Sequence, residues 1–131
     1  MVIDYELLFS DDQAITADAI STNIVDLGVA RNIAAGHPVR VLVQVTEAFD
    51  NLTNLRVKVQ QDTVEAFSSP EDLTEAVLVL ADLTVGAKFW MSFVPRNDQR
   101  YIGVYYDVTG SSPSAGKITA AIILDEQDNV A

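Results

Sequence analysis

Residues 39–45 read VRVLVQV, and this stretch decides the fold class. Valine occupies every second position, and the residues between the valines include a charged arginine and a polar glutamine. An amphipathic α-helix would repeat apolar residues at intervals of three and four, whereas a β-strand places alternate residues on opposite faces. The stretch therefore predicts a strand with one face in the core and the other face in solvent or at a contact.

The same period of two recurs farther along the chain. Apolar residues alternate in residues 55–59, 102–108 and 118–124, and turn-forming residues separate these runs. Eight strands are predicted, near residues 14–18, 21–27, 38–47, 54–61, 74–83, 87–94, 100–109 and 116–125. Short strands with regular turns are typical of an all-β protein, here a jelly-roll or β-sandwich of two packed antiparallel sheets. Spacing alone leaves the jelly roll and the immunoglobulin-like sandwich both open.

Signals for helix are few. Ser69 is a suitable helix cap, and Pro70 suits the first helical position. One helical turn is therefore predicted there, ahead of the strand near residue 74.

Residues 1–10 are predicted to form an N-terminal arm. Four of its side chains are too apolar to be left in water: Tyr5, Leu7, Leu8 and Phe9. The arm either folds back onto the core of its own chain or reaches a neighbouring subunit.

Length and composition narrow the possible functions. The 131 residues predict a single jelly-roll domain over residues 1–131, and 19 acidic against 8 basic residues give a net charge of −11. Nucleic-acid binding is not expected, because it requires clustered Lys and Arg, and here they are scattered.

No secretory signal and no apolar run of about 20 residues is present, so no membrane partner is expected. The absence of cysteine fits a reducing cytoplasm.

No residues with the spacing of a catalytic site were found. A hydrolytic triad needs a nucleophile, a base and an orienting acid, but the only histidine is His37, in a turn before proline. The serine-rich loop at residues 110–116 lacks the strand–turn–helix context of a nucleophile elbow. We therefore expect that the protein is not an enzyme.

Metal and cofactor sites are not expected either. A structural zinc site needs more Cys and His than this chain has. The densest acidic clusters, residues 11–12 and 125–129, lack the spacing of a calcium-binding loop. The glycines form no phosphate-binding loop.

Aromatic residues are the strongest candidates for a contact. Alternation places Trp90 on the face of its strand opposite to Phe89, Met91 and Phe93. Trp90 is either partly covered by a neighbouring loop or placed at a subunit interface, where Trp and Tyr often dominate binding. Tyr101 and Tyr105 share one face of the next strand, which is also suited to an interface.

Several aliphatic residues also fall on nominally outer faces: Leu42, Leu78, Leu80 and Ile123. They indicate either a contact patch or a second covered sheet face.

The stretch LLFSDDQAITADAISTNIVDLG at residues 7–28, continuing into VLVQVTEAF at 41–49, resembles a family of small jelly-roll proteins of tailed bacteriophages. Those proteins cement the outer surface of the phage head. The resemblance covers residues 8–125 and favours the jelly roll over the immunoglobulin-like sandwich.

This resemblance implies a virion structural protein, a capsid cement or decoration protein on the outer surface of the head, assembled in the host cytoplasm. The implied partners are the major capsid protein and further copies of this chain, as a homodimer or homotrimer. The expected contact residues combine the arm with the outward aromatics: Tyr5, Leu7, Leu8, Phe9, Trp90, Tyr101 and Tyr105.

Two functions from other classes are alternatives. A carbohydrate-binding jelly roll, acting in receptor binding or adhesion, would use Trp90, or Tyr105 near Asp107. A cupin-like enzyme would need two or three metal-binding histidines, but this chain has only His37.

Overall fold

The computed structural model of the chain describes residues 8–26, 39–93 and 100–123. These ranges contain nine strands and one 3-10 turn. The strands are β1 (Leu8–Ala14), β2 (Ala19–Ile20), β3 (Val25–Asp26), β4 (Val39–Glu47), β5 (Leu52–Asp62), β6 (Glu71–Val79), β7 (Lys88–Phe93), β8 (Tyr101–Gly110) and β9 (Lys117–Ile123), and the 3-10 turn spans Leu80–Asp82.

The strands pair like one long hairpin that has been rolled up. β1 pairs with β9, β2 and β3 pair with β8, β4 pairs with β7, and β5 pairs with β6, all antiparallel. Further pairing of β4 with β9 and of β5 with β8 joins these pairs into two sheets. The four-stranded sheet has the order β1-β9-β4-β7, and the five-stranded sheet has the order β2-β8-β5-β6, with β3 beside β8.

This topology confirms the predicted jelly roll. If β2 and β3 are counted as one interrupted strand, eight strands remain, as predicted from the sequence. The immunoglobulin-like alternative is wrong, because there the first two strands lie side by side in one sheet, whereas here β1 and β2 lie in opposite sheets.

The core lies between the two sheets and follows the alternation in the sequence. The four alternate valines of residues 39–45 are at most 9% exposed. Leu55, Val57 and Val59 of β5 face them from the other sheet and are fully buried. Burial of each such side chain stabilises the folded state by roughly 1.5–3 kcal/mol, so the facing inner surfaces hold the sandwich together.

One polar contact crosses this apolar core. The Tyr106 hydroxyl on β8 lies 2.7 Å from Oγ of Ser10 on β1, and both residues are fully buried. The Ser10 hydroxyl donates to Oε1 of Gln13, so Tyr106 is the donor in the contact with Ser10. Burial raises the pKa of Tyr106 well above its ordinary value of 10.0, and the bond to Ser10 opposes this only in part. The contact ties the two sheets together.

The helical turn predicted after Ser69 is wrong. Glu71 already lies in β6, because residues 71 and 72 pair with Gln61 and Gln60 of β5. Extended pairing satisfies the backbone groups that a helical turn would otherwise have bonded internally. The strand predicted for residues 74–83 ends earlier, at Val79, where the 3-10 turn begins.

The strand predicted for residues 14–18 is also wrong. The first strand is Leu8–Ala14, and its pairing with β9 places residues 8–10 of the predicted arm against the core of their own chain. After Ala14 the backbone leaves the ladder, with the Ile15 amide donating to the Gly116 carbonyl. Of the strand predicted for residues 21–27, only β3 forms within the described residues, and the other short strand, β2, lies just before the predicted range. Residues 1–7 of the arm lie outside the described residues.

The other predicted strands are confirmed to within a few residues at each end. They are the strands predicted near 38–47, 54–61, 87–94, 100–109 and 116–125, where the part beyond Phe93 or Ile123 is not described.

The hydroxyl contact in the core gives a first prediction. We expect Tyr106→Phe to lower the free energy of unfolding by about 0.5–1.5 kcal/mol, the usual net value of one hydrogen bond, because Ser10 keeps Gln13 as a partner. Urea denaturation followed by circular dichroism measures this change. The matched control is Tyr105→Phe, whose ring points out of the sandwich, and it should change stability by less than about 0.5 kcal/mol. Equal stability of the two variants would contradict a stabilising role for the contact.

Candidate contact surfaces

Trp90 lies on the outer face of the four-stranded sheet. The register pairs Trp90 with Leu42 and places Arg40 opposite Ser92, so these side chains point away from the sandwich interior. The guanidinium carbon of Arg40 lies 4.4 Å from the centroid of the Trp90 ring. A cation over an aromatic face contributes roughly 0.5–2 kcal/mol, more when it is desolvated. Trp90 is therefore a partly buried, preoriented aromatic side chain.

A small second apolar cluster supports Trp90 from below. Its members lie on the outer face of the four-stranded sheet and are at most 7% exposed: Leu8, Leu42, Ala121 and Ile123. For Leu42 and Ile123 the sequence indicates either a contact patch or a second covered sheet face, and their burial within the chain favours the covered face. Leu78 instead faces the main core, and Leu80 packs against it from the 3-10 turn.

The predicted arm residues are placed in the interior where they are described. Leu8 belongs to the second cluster, and Phe9 lies in the main core with no exposed surface. Neither side chain is accessible to a partner in this conformation, because pairing of β1 with β9 carries both into the fold. Tyr5 and Leu7 lie outside the described residues.

Tyr101 lies on the opposite side of the molecule, on the outer face of the five-stranded sheet. Arg100 covers its ring, with the guanidinium carbon 5.0 Å from the centroid. Arg100 donates two hydrogen bonds to the Asp26 carboxylate, from Nε at 2.7 Å and from Nη2 at 3.0 Å. These bonds raise the pKa of Arg100 above its ordinary value. Bidentate pairing fixes the plane of the guanidinium, so this second aromatic side chain is also preoriented.

Tyr105 is outward on the same sheet and lines a cleft of about 420 Å³. Ile20 and Phe67 add apolar surface to the cleft, and Asp18 and Gln60 add polar groups. Gly103 lies between the two outward tyrosines, and a Cβ atom there would come within 3.1 Å of the Phe67 ring. The small residue at 103 therefore lets Phe67 pack close to β8 and form one wall of the cleft.

Asp62 shapes the loop that carries Phe67. Its carboxylate is almost fully buried and accepts hydrogen bonds from the backbone amides of Thr63, Val64 and Ser69, at 2.6, 3.2 and 3.0 Å. Burial alone would raise the pKa of Asp62, but these bonds outweigh it and hold the pKa below the ordinary value of 3.8. The carboxylate thereby fixes the ends of the loop.

The centre of the five-stranded sheet presents charge on its outer face. Arg56 of β5 lies 3.4 Å from Glu75 of β6, and Lys58 lies 3.9 Å from Asp72 and 4.0 Å from Asp107. Exposed ion pairs of this kind contribute little to stability, typically 0–1 kcal/mol. These ion pairs keep the centre of this outer face well solvated, so it is poorly suited to binding a partner.

The structure does not bring the predicted contact residues together into one patch. Trp90 lies on one outer face of the sandwich, and Tyr101 and Tyr105 lie on the other. Alternation in the sequence correctly assigned each of them to the side away from the core. Which sheet each strand joins depends on pairing between distant segments, and alternation does not contain that information.

One exposed feature was missed by the sequence analysis. Val77 and Val79 on β6 are 52% and 47% exposed and point outward, next to Arg56 and Asn54 of β5. Residues 76–80 are all apolar, so alternation cannot decide which of them face the core.

The buried carboxylate of Asp62 gives a second prediction. We expect Asp62→Ala to lower the free energy of unfolding at pH 7 by about 1.5–3 kcal/mol, the range for hydrogen bonds to a charged group. Because the folded-state pKa is lowered, the stabilisation is present above pH 3.8 and is lost as the pH falls through the folded-state pKa. Urea denaturation at pH 7 and pH 3 should therefore show the largest difference from wild type at pH 7. The control is the exposed loop variant Glu65→Ala, and a difference that does not depend on pH would contradict the assignment.

Within residues 8–26, 39–93 and 100–123, no group of three or more His, Cys, Asp and Glu side chains could hold a metal ion. No helix in those ranges is long and apolar enough to cross a membrane. His37 lies outside the described residues.

No curated protein matches the sequence. A model of the Bbp16 family matches residues 9–122, which is most of the chain, and the chain therefore belongs to the phage-related Bbp16 family.

Proposed function

We propose that this chain is a capsid cement, or decoration, protein that binds the outer surface of a phage head. Its partner is the major capsid protein, whose neighbouring subunits it holds together. Membership of a phage-related family and a jelly-roll fold support this proposal. The observation that carries it is the pair of preoriented aromatic side chains, Trp90 beside Arg40 and Tyr101 beside Arg100, on opposite outer faces.

Two such faces suit a protein that bridges its neighbours. Tryptophan, tyrosine and arginine are the residues that most often dominate protein interfaces. A rigid sandwich with one anchor on each side engages two different surfaces without changing shape. Holding the rings against guanidinium groups before binding reduces the entropy lost when the contact forms.

The mechanism is passive and requires no catalysis. A standard interface buries about 1,600 Å² in total. Repeated over a shell, many such contacts act together, because the lattice holds each bound copy at a high effective concentration. The added contacts lower the free energy of the assembled shell relative to its parts and oppose the pressure of packaged DNA.

The net charge of −11 fits this role. Free copies repel one another and stay dispersed in the host cytoplasm until they meet the shell. The charge also favours a capsid surface that is neutral or basic at the contact, and it disfavours direct contact with nucleic acid. We propose that the bound form is a homodimer or homotrimer, which places several anchors on the shell at once.

A carbohydrate-binding module is the second candidate. The cleft beside Tyr105 favours it, because two aromatic rings, Tyr105 and Phe67, lie there with the polar side chains of Asp18 and Gln60. Trp90 lies on the other outer face and takes no part in this cleft. Asp107 lies 4.0 Å from Lys58 and is engaged in the charged centre of the sheet.

Binding to assembled heads tests the main proposal. We expect the purified protein to co-sediment with heads built from the major capsid protein of the phage that encodes it. Trp90→Ala should weaken this binding at least about tenfold, because loss of a hot-spot side chain costs about 2 kcal/mol or more. Ser92→Ala, an exposed change on the same face of β7, is the matched control and should bind as wild type does.

Tyr101→Ala on the other face provides an independent variant should Trp90→Ala lose its fold, which circular dichroism would reveal. Wild-type protein that stays in the supernatant at micromolar concentrations would overturn the proposal. Equal binding by wild type and both folded variants would remove the aromatic anchors from it.

A glycan array tests the second candidate. If the cleft binds carbohydrate, we expect wild-type protein to bind a defined set of glycans and Tyr105→Ala to lose at least about tenfold in affinity, because stacking on an aromatic ring carries much of such binding. Tyr101→Ala is the control, since it removes a tyrosine from the same sheet outside the cleft. An array without any bound glycan would count against a carbohydrate ligand.

A further inference from the structure

The four edge strands of the two sheets differ in how well they are protected against pairing with another strand. A sheet edge exposes unpaired backbone groups and invites another strand, so proteins usually shorten, bend or charge their edges. Three of the four edges here are modified in this way. β2 and β3 have two residues each, β1 has two register shifts and carries Asp11 and Asp12, and β7 has six residues and begins with Lys88.

The fourth edge, β6, is open within the part of the chain that the structure describes. It has nine residues, the most of any edge strand in the described ranges, and within those ranges it pairs only with β5. Its one irregularity lies near its beginning, between the pairs of Val59 and Gln60. The second half, residues 74–79, reads TEAVLV, with neither proline nor lysine to blunt the edge.

The core beneath this edge is incompletely covered. Six partly buried apolar side chains pack against the main core, and five of them lie on β6, in the 3-10 turn, just before β7 or near its start. These five are Leu73, Ala76, Leu80, Ala87 and Phe89. A strand added beside β6 would cover part of this border as well as pairing with the backbone.

The outward side chains of β6 indicate what such a strand should carry. On the outward side, Asp72 and Glu75 occupy its first half and the exposed Val77 and Val79 occupy its second half, with no basic residue in the strand. Asp72 and Glu75 already pair with Lys58 and Arg56 of β5, on the side away from the open edge. Cross-strand neighbours interact directly, so a complementary segment has Lys or Arg opposite the acidic half and β-branched residues opposite the valines.

A second copy of this chain fits the edge poorly. Antiparallel self-pairing along the whole strand would have its two-fold axis at Glu75, which sets the two Glu75 carboxylates opposite each other and Glu71 opposite Val79. Moving the axis towards the apolar half shortens the pairing. An axis at Val77 overlaps five residues and sets Glu75 opposite Val79, and an axis at Leu78 overlaps only three because the strand ends at Val79. The net charge of −11 on each copy adds repulsion at long range.

We infer that β6 docks an extended, basic segment of the major capsid protein by strand addition, which extends the five-stranded sheet by one strand. This inference rests on the proposed function and identifies the contact by which the protein binds the shell. Main-chain hydrogen bonds supply affinity in this mode of recognition, and the alternate side chains supply specificity. Part of the attraction is electrostatic, so binding should weaken as salt rises.

Two matched lysine variants test the edge with assembled heads as the binding probe. Val79→Lys places a charge on the edge, and Val64→Lys makes the same change at a valine of similar exposure, 44%, outside β6. We expect Val79→Lys to weaken co-sedimentation about fivefold, the equivalent of one lost cross-strand apolar pair, while Val64→Lys binds as wild type does. Equal binding by both variants would overturn the inference while leaving the cement function standing, whereas failure of wild type to bind would remove both.

Hydrogen exchange detected by mass spectrometry reads the backbone directly and needs no variant. We expect wild-type peptides that cover residues 71–79 to gain protection when heads are added. Protection confined to other strands would overturn the inference. If these peptides instead become protected at rising protein concentration without heads, a second copy occupies the edge and the capsid segment is excluded as its partner.

Discussion

Burial of two apolar sheet faces against each other is the interaction on which this molecule depends. The alternate valines of residues 39–45 and the facing residues of β5 are almost entirely removed from water. Each strand therefore has to keep its register, since a slip of one residue would turn its apolar set towards solvent. The buried contact between Ser10 and Tyr106 adds a directional link between sheets that apolar packing alone lacks. With the inner faces committed to the core, outer faces and edges are left to make contacts.

The outer faces are specialised in different ways. The four-stranded sheet carries a second apolar cluster beneath Trp90, and the five-stranded sheet carries ion pairs at its centre with Tyr101 and Tyr105 beside them. Aromatic anchors on opposite faces suit a protein that bridges neighbours, and the open edge at β6 offers backbone pairing in addition. A contact made of side-chain anchors and a strand edge together would combine specificity with an affinity that depends little on exact side-chain fit.

The cleft beside Tyr105 shows how one buried charge can organise a surface. Asp62 gathers the amides at both ends of the loop of residues 63–69, and this positions Phe67 against the space left by Gly103. The carboxylate is stable in its charged form because amide donors replace its lost hydration. The shape of the cleft thus depends on a buried residue that does not line it.

The sequence by itself determined the fold class and the facing of most strands. Alternation is a local property, so the valines of β4 and the outward positions of Trp90, Tyr101 and Tyr105 could be assigned from neighbours a few residues away. The family resemblance added the jelly-roll topology, which pairing in the structure confirms. The phage-related family is shown as well, whereas the cement function stays a proposal.

Only the tertiary structure decided the remaining features, because they depend on contacts between segments far apart in the chain. β1 is a strand because β9, more than one hundred residues later, pairs with it. In residues 76–80 every side chain is apolar, and pairing with β5 determines that Leu78 enters the core while Val77 and Val79 do not. The roles of Asp62, the separation of Trp90 from the tyrosines and the open edge at β6 likewise arise from which strands lie side by side, and no local pattern encodes that choice.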